Sequence, residues 1–284
     1  MSKTWVLALV LAASCSLGAA QLQAQANRTP SRTNTNDSAF QHRSEAPETA
    51  TCAYQFTSGG SGTTPFMQYC ATVNGNIVEF QSPSGIEHIA RGIIGEGYGI
   101  CDFGTGPPFG RYFDWADSGD SSNWQASILL SNTATTVKIA RTTSDGIWTL
   151  TQTITQNAKG GYVTVGMALK NNSGLNRSAY IIRWADADAD NTVINNLDAS
   201  VNSAWAYTRL GHGLLLQVAG APAPNIPAAG YPLNTAFGPD PCNPIAAYAG
   251  TLTDADGSIE LWYLTENNIG PGKTVTVKVK YSSL

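Results

Sequence analysis

The sequence predicts an all-β protein, a large antiparallel β-sandwich of about a dozen or more strands. Three observations predict it. Charged residues make up 13% of the 284 positions and glycine takes 28 of them; soluble domains ordinarily carry about 25% charge. The chain is also rich in threonine, which suits strands better than solvated helices. Several stretches alternate apolar and polar residues with period two, and turn signals separate them with no helical periodicity between.

The N-terminal segment reads as an address. Lys3 precedes the apolar run Trp5 to Leu11, and small residues follow through Ala20. Residues 1–26 are therefore expected to be a secretory signal peptide, cleaved after Ala26 or, failing that, after Ala20. The apolar run falls short of the ~20 residues that span a bilayer. A lipid anchor on Cys15 is disfavoured, because Ala12-Ala13-Ser14 lacks the large aliphatic residue of lipoprotein signals. Residues 27–50 set three arginines against Asp37, Glu45 and Glu48 around a single aromatic, Phe40. They are expected to be a disordered tether. Residues 51–284 then form a single β-sandwich domain, in a protein secreted or periplasmic.

Loss of Cys15 with the signal leaves Cys52, Cys70, Cys101 and Cys242, an even set that reads as two disulfides in an exported chain. If residues 53–56 and 66–69 form a symmetric hairpin centred on Ser61, Cys52 lies opposite Cys70. Cys101 then takes Cys242.

The strands follow in order. Trp148, Leu150, Gln152 and Ile154 share one face, with threonines between them. Val163, Val165, Met167 and Leu169 share another, and Val275, Val277, Val279 and Tyr281 a third. Each pattern needs a sheet with one buried side. Asn74-Gly75, Asp145-Gly146, Gly160-Gly161, Asp256-Gly257 and Gly270-Pro271-Gly272 supply turns. Residues 221–244 hold seven of the 14 prolines and read as a long surface loop pinned by Cys242.

The run Glu96-Gly97-Tyr98-Gly99-Ile100-Cys101-Asp102 and the run Arg183-Trp184-Ala185-Asp186-Ala187-Asp188-Ala189-Asp190-Asn191 resemble an uncharacterised family of secreted bacterial β-sandwich proteins. The tail Ile269 to Val277 is similar to the closing strand of immunoglobulin-like and galactose-mutarotase-like sandwiches. The resemblance implies export and a sandwich, and carries no activity.

Net charge is −4, with no basic patch to neutralise nucleic-acid phosphates. Two clusters invite ligands. On a strand, Asp186, Asp188 and Asp190 would share one face and repel, which makes them a candidate Ca²⁺ site; Asn191 stands where a calcium loop has glycine. The alternative is a solvated acidic strand end paired with Arg183 or Arg177. Asp114, Trp115, Asp117, Asp120 and Trp124 combine aromatic faces with carboxylates, as sugar sites do; otherwise the tryptophans bury and the aspartates cap turns. Asp254-x-Asp256-Gly257 is expected to be a hairpin turn.

No catalytic motif is present: no nucleophile elbow, zinc-protease pair or P-loop. Sugar epimerisation would need a general acid and base, for which Glu96, His88 and His212 are nominated, although His88 reads better as a structural histidine. The leading expectation is a noncatalytic exported sandwich for surface adhesion, glycan binding or extracellular assembly. The alternatives are a carbohydrate-active enzyme (mutarotase-like or a glycosidase) and a structural surface or filament subunit. Exposed Trp115 and Trp124 would favour glycan binding; Glu96 or Asp114 beside a histidine would favour an enzyme.

Overall fold

A computed structural model describes residues 51–62, 64–89, 95–104, 106, 108–116, 119–200, 202–220, 225–232, 240–243, 247–248, 250–265 and 269–284. The expected signal peptide and tether, with Cys15, lie outside these residues. The described strands are β1 (Tyr54–Ser58), β2 (Met67–Ala71), β3 (Ile77–Gln81), β4 (Glu96–Asp102), β5 (Gly110–Trp115), β6 (Gly119–Asp120), β7 (Ile128–Asn132), β8 (Thr136–Thr142), β9 (Trp148–Asn157) and β10 (Tyr162–Asn171). They continue with β11 (Ala179–Asp186), β12 (Asn195–Ser200), β13 (Ser203–Tyr207), β14 (Gly213–Val218), β15 (Asn225–Pro232), β16 (Ala247–Tyr248), β17 (Gly250–Ala255), β18 (Ser258–Thr265) and β19 (Thr274–Ser283).

The fold is all-β and antiparallel, as expected. A nine-stranded sheet runs β17-β12-β13-β14-β19-β10-β9-β8-β7, a seven-stranded sheet runs β16-β15-β18-β11-β4-β5-β6, and β1-β2-β3 form a third. The period-two patterns decide which sides meet. Leu150, Ile154, Val165, Leu216 and Val279 of the large sheet join Ile100, Ile181, Leu261 and Tyr263 of the second in one buried core. Phe56, Met67, Tyr69 and Phe80 of the small sheet belong to the same core. The alternate threonines of β9 face the other way.

Charge is sparse, yet three arginine–carboxylate pairs are buried: Arg183 with Glu96, Arg141 with Asp114 and Arg177 with Asp102. Arg183 is fully enclosed. Its guanidinium grips both Glu96 oxygens, with Nη2 to Oε2 at 2.8 Å. It also donates to Gln152 Oε1 on β9, to Tyr281 Oη on β19 at 2.8 Å, and to the Gly75 carbonyl at 3.0 Å. Glu96 accepts from Tyr281 Oη–H and from the Ile77 amide at 2.7 Å. One ion pair thus ties all three sheets together. The Glu96 charge beside it holds Arg183 protonated despite burial, which alone would push the guanidinium down. The predicted Asn74-Gly75 turn reaches inward to this cluster. Gly75 has φ +90°, and a Cβ there would come within 2.4 Å of the Gln152 amide, so only glycine fits.

Both expected disulfides form: Cys52–Cys70 with Cα atoms 5.5 Å apart, and Cys101–Cys242 at 4.9 Å. They mark an oxidising environment. The register argued for the first pair is corrected. Gln55, not Cys52, lies opposite Cys70, and Cys52 reaches the bridge from just before β1. The ladder is followed by a bridge between Ser61 and Thr64, which shifts the turn past Ser61 toward β2. The proline-rich segment is also corrected: residues 225–232 are a strand antiparallel to β18. Among the described residues only Tyr231 and Pro232 pair with β16 on its other side, so a proline there meets little described ladder. Cys242 does pin residues 240–243, with Arg111 holding Asp240 at 3.1 Å. No helix among the described residues is long and apolar enough to cross a membrane.

Replacing Glu96 by Gln leaves the Arg183 charge buried without its counterion. Urea unfolding at pH 7 should show a loss of about 3–5 kcal/mol. The double variant Glu96→Leu/Arg183→Met should lose less than the two single changes summed.

Candidate functional site

The loop expected to bind sugars is interior. Trp115 is 1% exposed and Trp124 8%. Trp115 lies across β4, where Gly97 and Gly99 leave room: a Cβ on Gly97 would sit 2.4 Å from the indole. Trp184 meets Trp115 edge-on at 5.5 Å, and Pro241 lies over Gly99. Trp124 donates its indole N–H to the Phe113 carbonyl at 3.1 Å and packs on Tyr98. Asp114 is held by Arg141 and by the Asn76 amide. Asp120 continues the β5–β6 ladder opposite Asp114, and Asp117 lies outside the described residues. This segment therefore offers no exposed aromatic ridge. Strand parity pointed Trp115 away from the main core, and the chain around Pro241 supplies a further layer that covers it.

The aspartate run is also redistributed. Strand β11 ends at Asp186, so the shared face ends there. The chain then makes a three-residue 3₁₀ turn, Ala189–Asn191, with Asp190 and Asn191 both at positive φ. Asp190 leaves its neighbours. Its carboxylate lies 3.2 Å from His212 Nδ1 without the alignment of a hydrogen bond, and accepts from Thr208 Oγ1–H at 3.4 Å. Its amide donates to His88 Nδ1 at 3.3 Å. Asp186 and Asp188 instead gather with Asp256. Burial pushes the Asp186 carboxyl up to about 8, and the charges of Asp188 and Asp256 add to that. Burial raises Asp188 as well, followed by Asp256. Among the described residues no group of three or more His, Cys, Asp or Glu side chains is placed to hold a metal ion. The expectation that Asp186, Asp188 and Asp190 share one strand face is therefore corrected.

His88 and His212, far apart in sequence, meet around Asp190. His88 accepts at Nδ1, so its proton is on Nε2, donated to the Ser82 carbonyl at 2.8 Å. Burial holds its pKa down. It is a neutral structural histidine with both nitrogens committed. Glu87 beside it accepts three backbone amides, from Phe80, His88 and Ile89. Glu96 and Asp114 are not beside either histidine; both are closed in arginine pairs, so the nominated acid–base set does not assemble. Glu260 on β18 is a further carboxyl the sequence did not single out. It is fully buried, neither oxygen has a hydrogen-bond partner, and burial pushes it well above the usual range.

A partly exposed aromatic pair lies elsewhere. On β13 the small residues Ala204 and Ala206 point into the core while Trp205 and Tyr207 face outward, half-buried. The order is inverted relative to an ordinary amphipathic strand. Trp205 sits between Asp198 of β12 and Leu215 of β14, and Tyr207 between Asn196 and Gly213. Gly213 makes room: a Cβ there would come 2.9 Å from the Tyr207 Cβ. Asp198 accepts from Thr251 Oγ1–H at 3.1 Å. Farther across the same face, Lys280 lies 5.5 Å above the Tyr162 ring. The run Ser-Ala-Trp-Ala-Tyr was the available signal for this site.

No protein-family model matches the chain, and no curated protein matches it in sequence. Similarity is found in solved structures. A bacterial glucoamylase complexed with acarbose superposes with a TM-score of 0.51 at 13% identity, over 84% of this chain and 34% of that one. A putative aldose 1-epimerase from Escherichia coli K12 gives 0.43 at 10% identity, over 81% and 99%. A heparan sulfate lyase HepC mutant from Pedobacter heparinus gives 0.42 at 11%, over 83% and 35%. The chain thus spans about a third of the glucoamylase it resembles. The likeness shows the sandwich fold.

The raised Asp186 sets a pH dependence. A carboxyl that binds its proton more tightly folded than unfolded stabilises the fold fully below its unfolded pKa, near 4, and loses that contribution as pH rises toward 8. Asp186→Asn should therefore raise the melting temperature at pH 8 relative to the parent, with the difference vanishing near pH 4. Thermal melts across that range check it.

Proposed function

We propose that the protein is an exported carbohydrate-binding module without a catalytic site of its own, and that it holds glycan chains on the outer face of the nine-stranded sheet at Trp205 and Tyr207. The inverted strand β13 carries this reading. Folding gains little from placing an indole and a phenol outward while two alanines occupy the core, since the larger apolar area would stabilise more if buried. An outward-facing indole is a surface on which the apolar face of a pyranose can stack, and hydroxyls then need hydrogen-bond partners at the rim. Asp198, Asn196, Thr251 and Gln217 surround the rings on the neighbouring strands. Aromatic residues two apart on a strand are about 7 Å apart, a spacing that engages adjoining parts of one chain.

Three further points support the reading. The disulfides fit an extracytoplasmic protein. The glucoamylase that shares the fold was crystallised in complex with acarbose. Glu96 and Asp114 are closed in arginine pairs, and both ring nitrogens of His88 are hydrogen-bonded. A platform on an open sheet face suits adhesion to polysaccharide better than enclosure of a single small sugar.

The test is retention on insoluble polysaccharides and in affinity gels. Trp205→Ala should reduce retention at least tenfold with the melting temperature nearly unchanged. Retention equal to the parent's across all glycans that the parent binds would sink the proposal. Trp115→Ala, by contrast, should destabilise the fold by about 3–5 kcal/mol, as removal of a buried aromatic does.

A further inference from the structure

The two large sheets end in four edge strands, and three carry recognised protection against pairing. Strands β6 and β16 are two residues long. Strand β17 bears Thr251, Thr253 and Asp254, with Asp254 at positive φ and paired to Arg209 at 2.9 Å. Short edges, charges and irregular backbone are the usual devices that keep one sheet from joining another.

Strand β7 differs. It closes the nine-stranded sheet on the side opposite β17, and all five of its residues are exposed. Ile128, Leu129 and Leu130 are 60%, 49% and 50% exposed. These are consecutive, so apolar side chains stand on both sides of the edge. From Gln125 to Val137 there is no charge, proline or glycine. A bulge at Leu130, where the register to β8 shifts, bends the strand without hiding these residues.

We propose that β7 is a self-association edge, where a second copy of this chain adds its own β7 antiparallel across a twofold axis to continue the sheet. The sequence favours this occupant over another. Ser127-Ile128-Leu129-Leu130-Ser131 reads nearly the same in both directions about Leu129. Antiparallel pairing centred there sets Ile128 opposite Leu130 of the partner and Ser127 opposite Ser131, apolar against apolar and hydroxyl against hydroxyl, with no charge brought near another. A twofold interface requires such self-complementarity. The contact is short, which places it with weak, transient interfaces. The pairing leaves Trp205 free, since β13 lies five strands away from β8 in the sheet order and on the β17 side.

Sedimentation velocity of the full chain, from about 5 to 500 µM, tests this. The parent should move from a species of 29.9 kDa toward twice that mass. Leu129→Lys and Ile128→Lys should each stay monomeric throughout, with unchanged melting temperatures, because the side chains are already in water. A parent that is monomeric at every concentration overturns the proposal. So does a dimer that persists in both lysine variants, which would place the contact on another surface. Should either variant fold poorly, Leu129→Cys in the parent background distinguishes the cases: a disulfide-linked dimer through residue 129 supports the twofold register, and its absence under oxidation contradicts it.

Discussion

The Arg183–Glu96 pair is the contact on which the rest of the architecture depends. It lies where the nine-stranded, seven-stranded and three-stranded sheets meet, and its donors and acceptors are shared among β4, β9, β11, β19 and the turn at Gly75. An enclosed charge is tolerated only when its hydrogen-bonding capacity is filled. Here each position that fills it fixes the placement of a different element. The pair therefore specifies how the layers stack, while the surrounding aliphatic core supplies most of the burial. Arg141–Asp114 and Arg177–Asp102 repeat the arrangement away from the centre. The low charge content of the chain takes on a structural meaning: an appreciable part of what charge exists is spent inside.

The runs 96–102 and 183–191 meet at this cluster. Glu96 comes from one and Arg183 from the other, and the two runs lie side by side, with Arg183 opposite Tyr98 and Ala185 opposite Glu96. The pairing is interior and carries no ligand with it.

Much of the fold was legible in the sequence, because period-two alternation reports directly which side of a strand is buried. The faces read for β9, β10 and β19 are those observed. The site residues were less legible, for distinct reasons. Parity placed Asp186, Asp188 and Asp190 together only while the strand continued, and the left-handed residues at 190 and 191 end that geometry. Trp115 faces away from the main core as an outward residue should, but two glycines beneath it and the segment around Pro241 enclose it. The Cys52–Cys70 pair was found through a register that is off by three residues, since linear spacing cannot see where in the glycine-rich segment the chain turns. Trp205 and Tyr207 were legible in principle: alternating alanine and aromatic residues leave open which set faces in, and only the neighbouring strands decide it.

The central claim is that the aromatic face of β13 meets the glycan. Indole N–H resonances report it directly during titration of ¹⁵N-labelled protein with a soluble oligosaccharide that the protein retains in polymer form. The account predicts that the Trp205 signal moves and saturates while those of the buried Trp115, Trp124, Trp148 and Trp184 stay fixed. Movement at Trp262 or at the buried indoles, with Trp205 stationary, would contradict it.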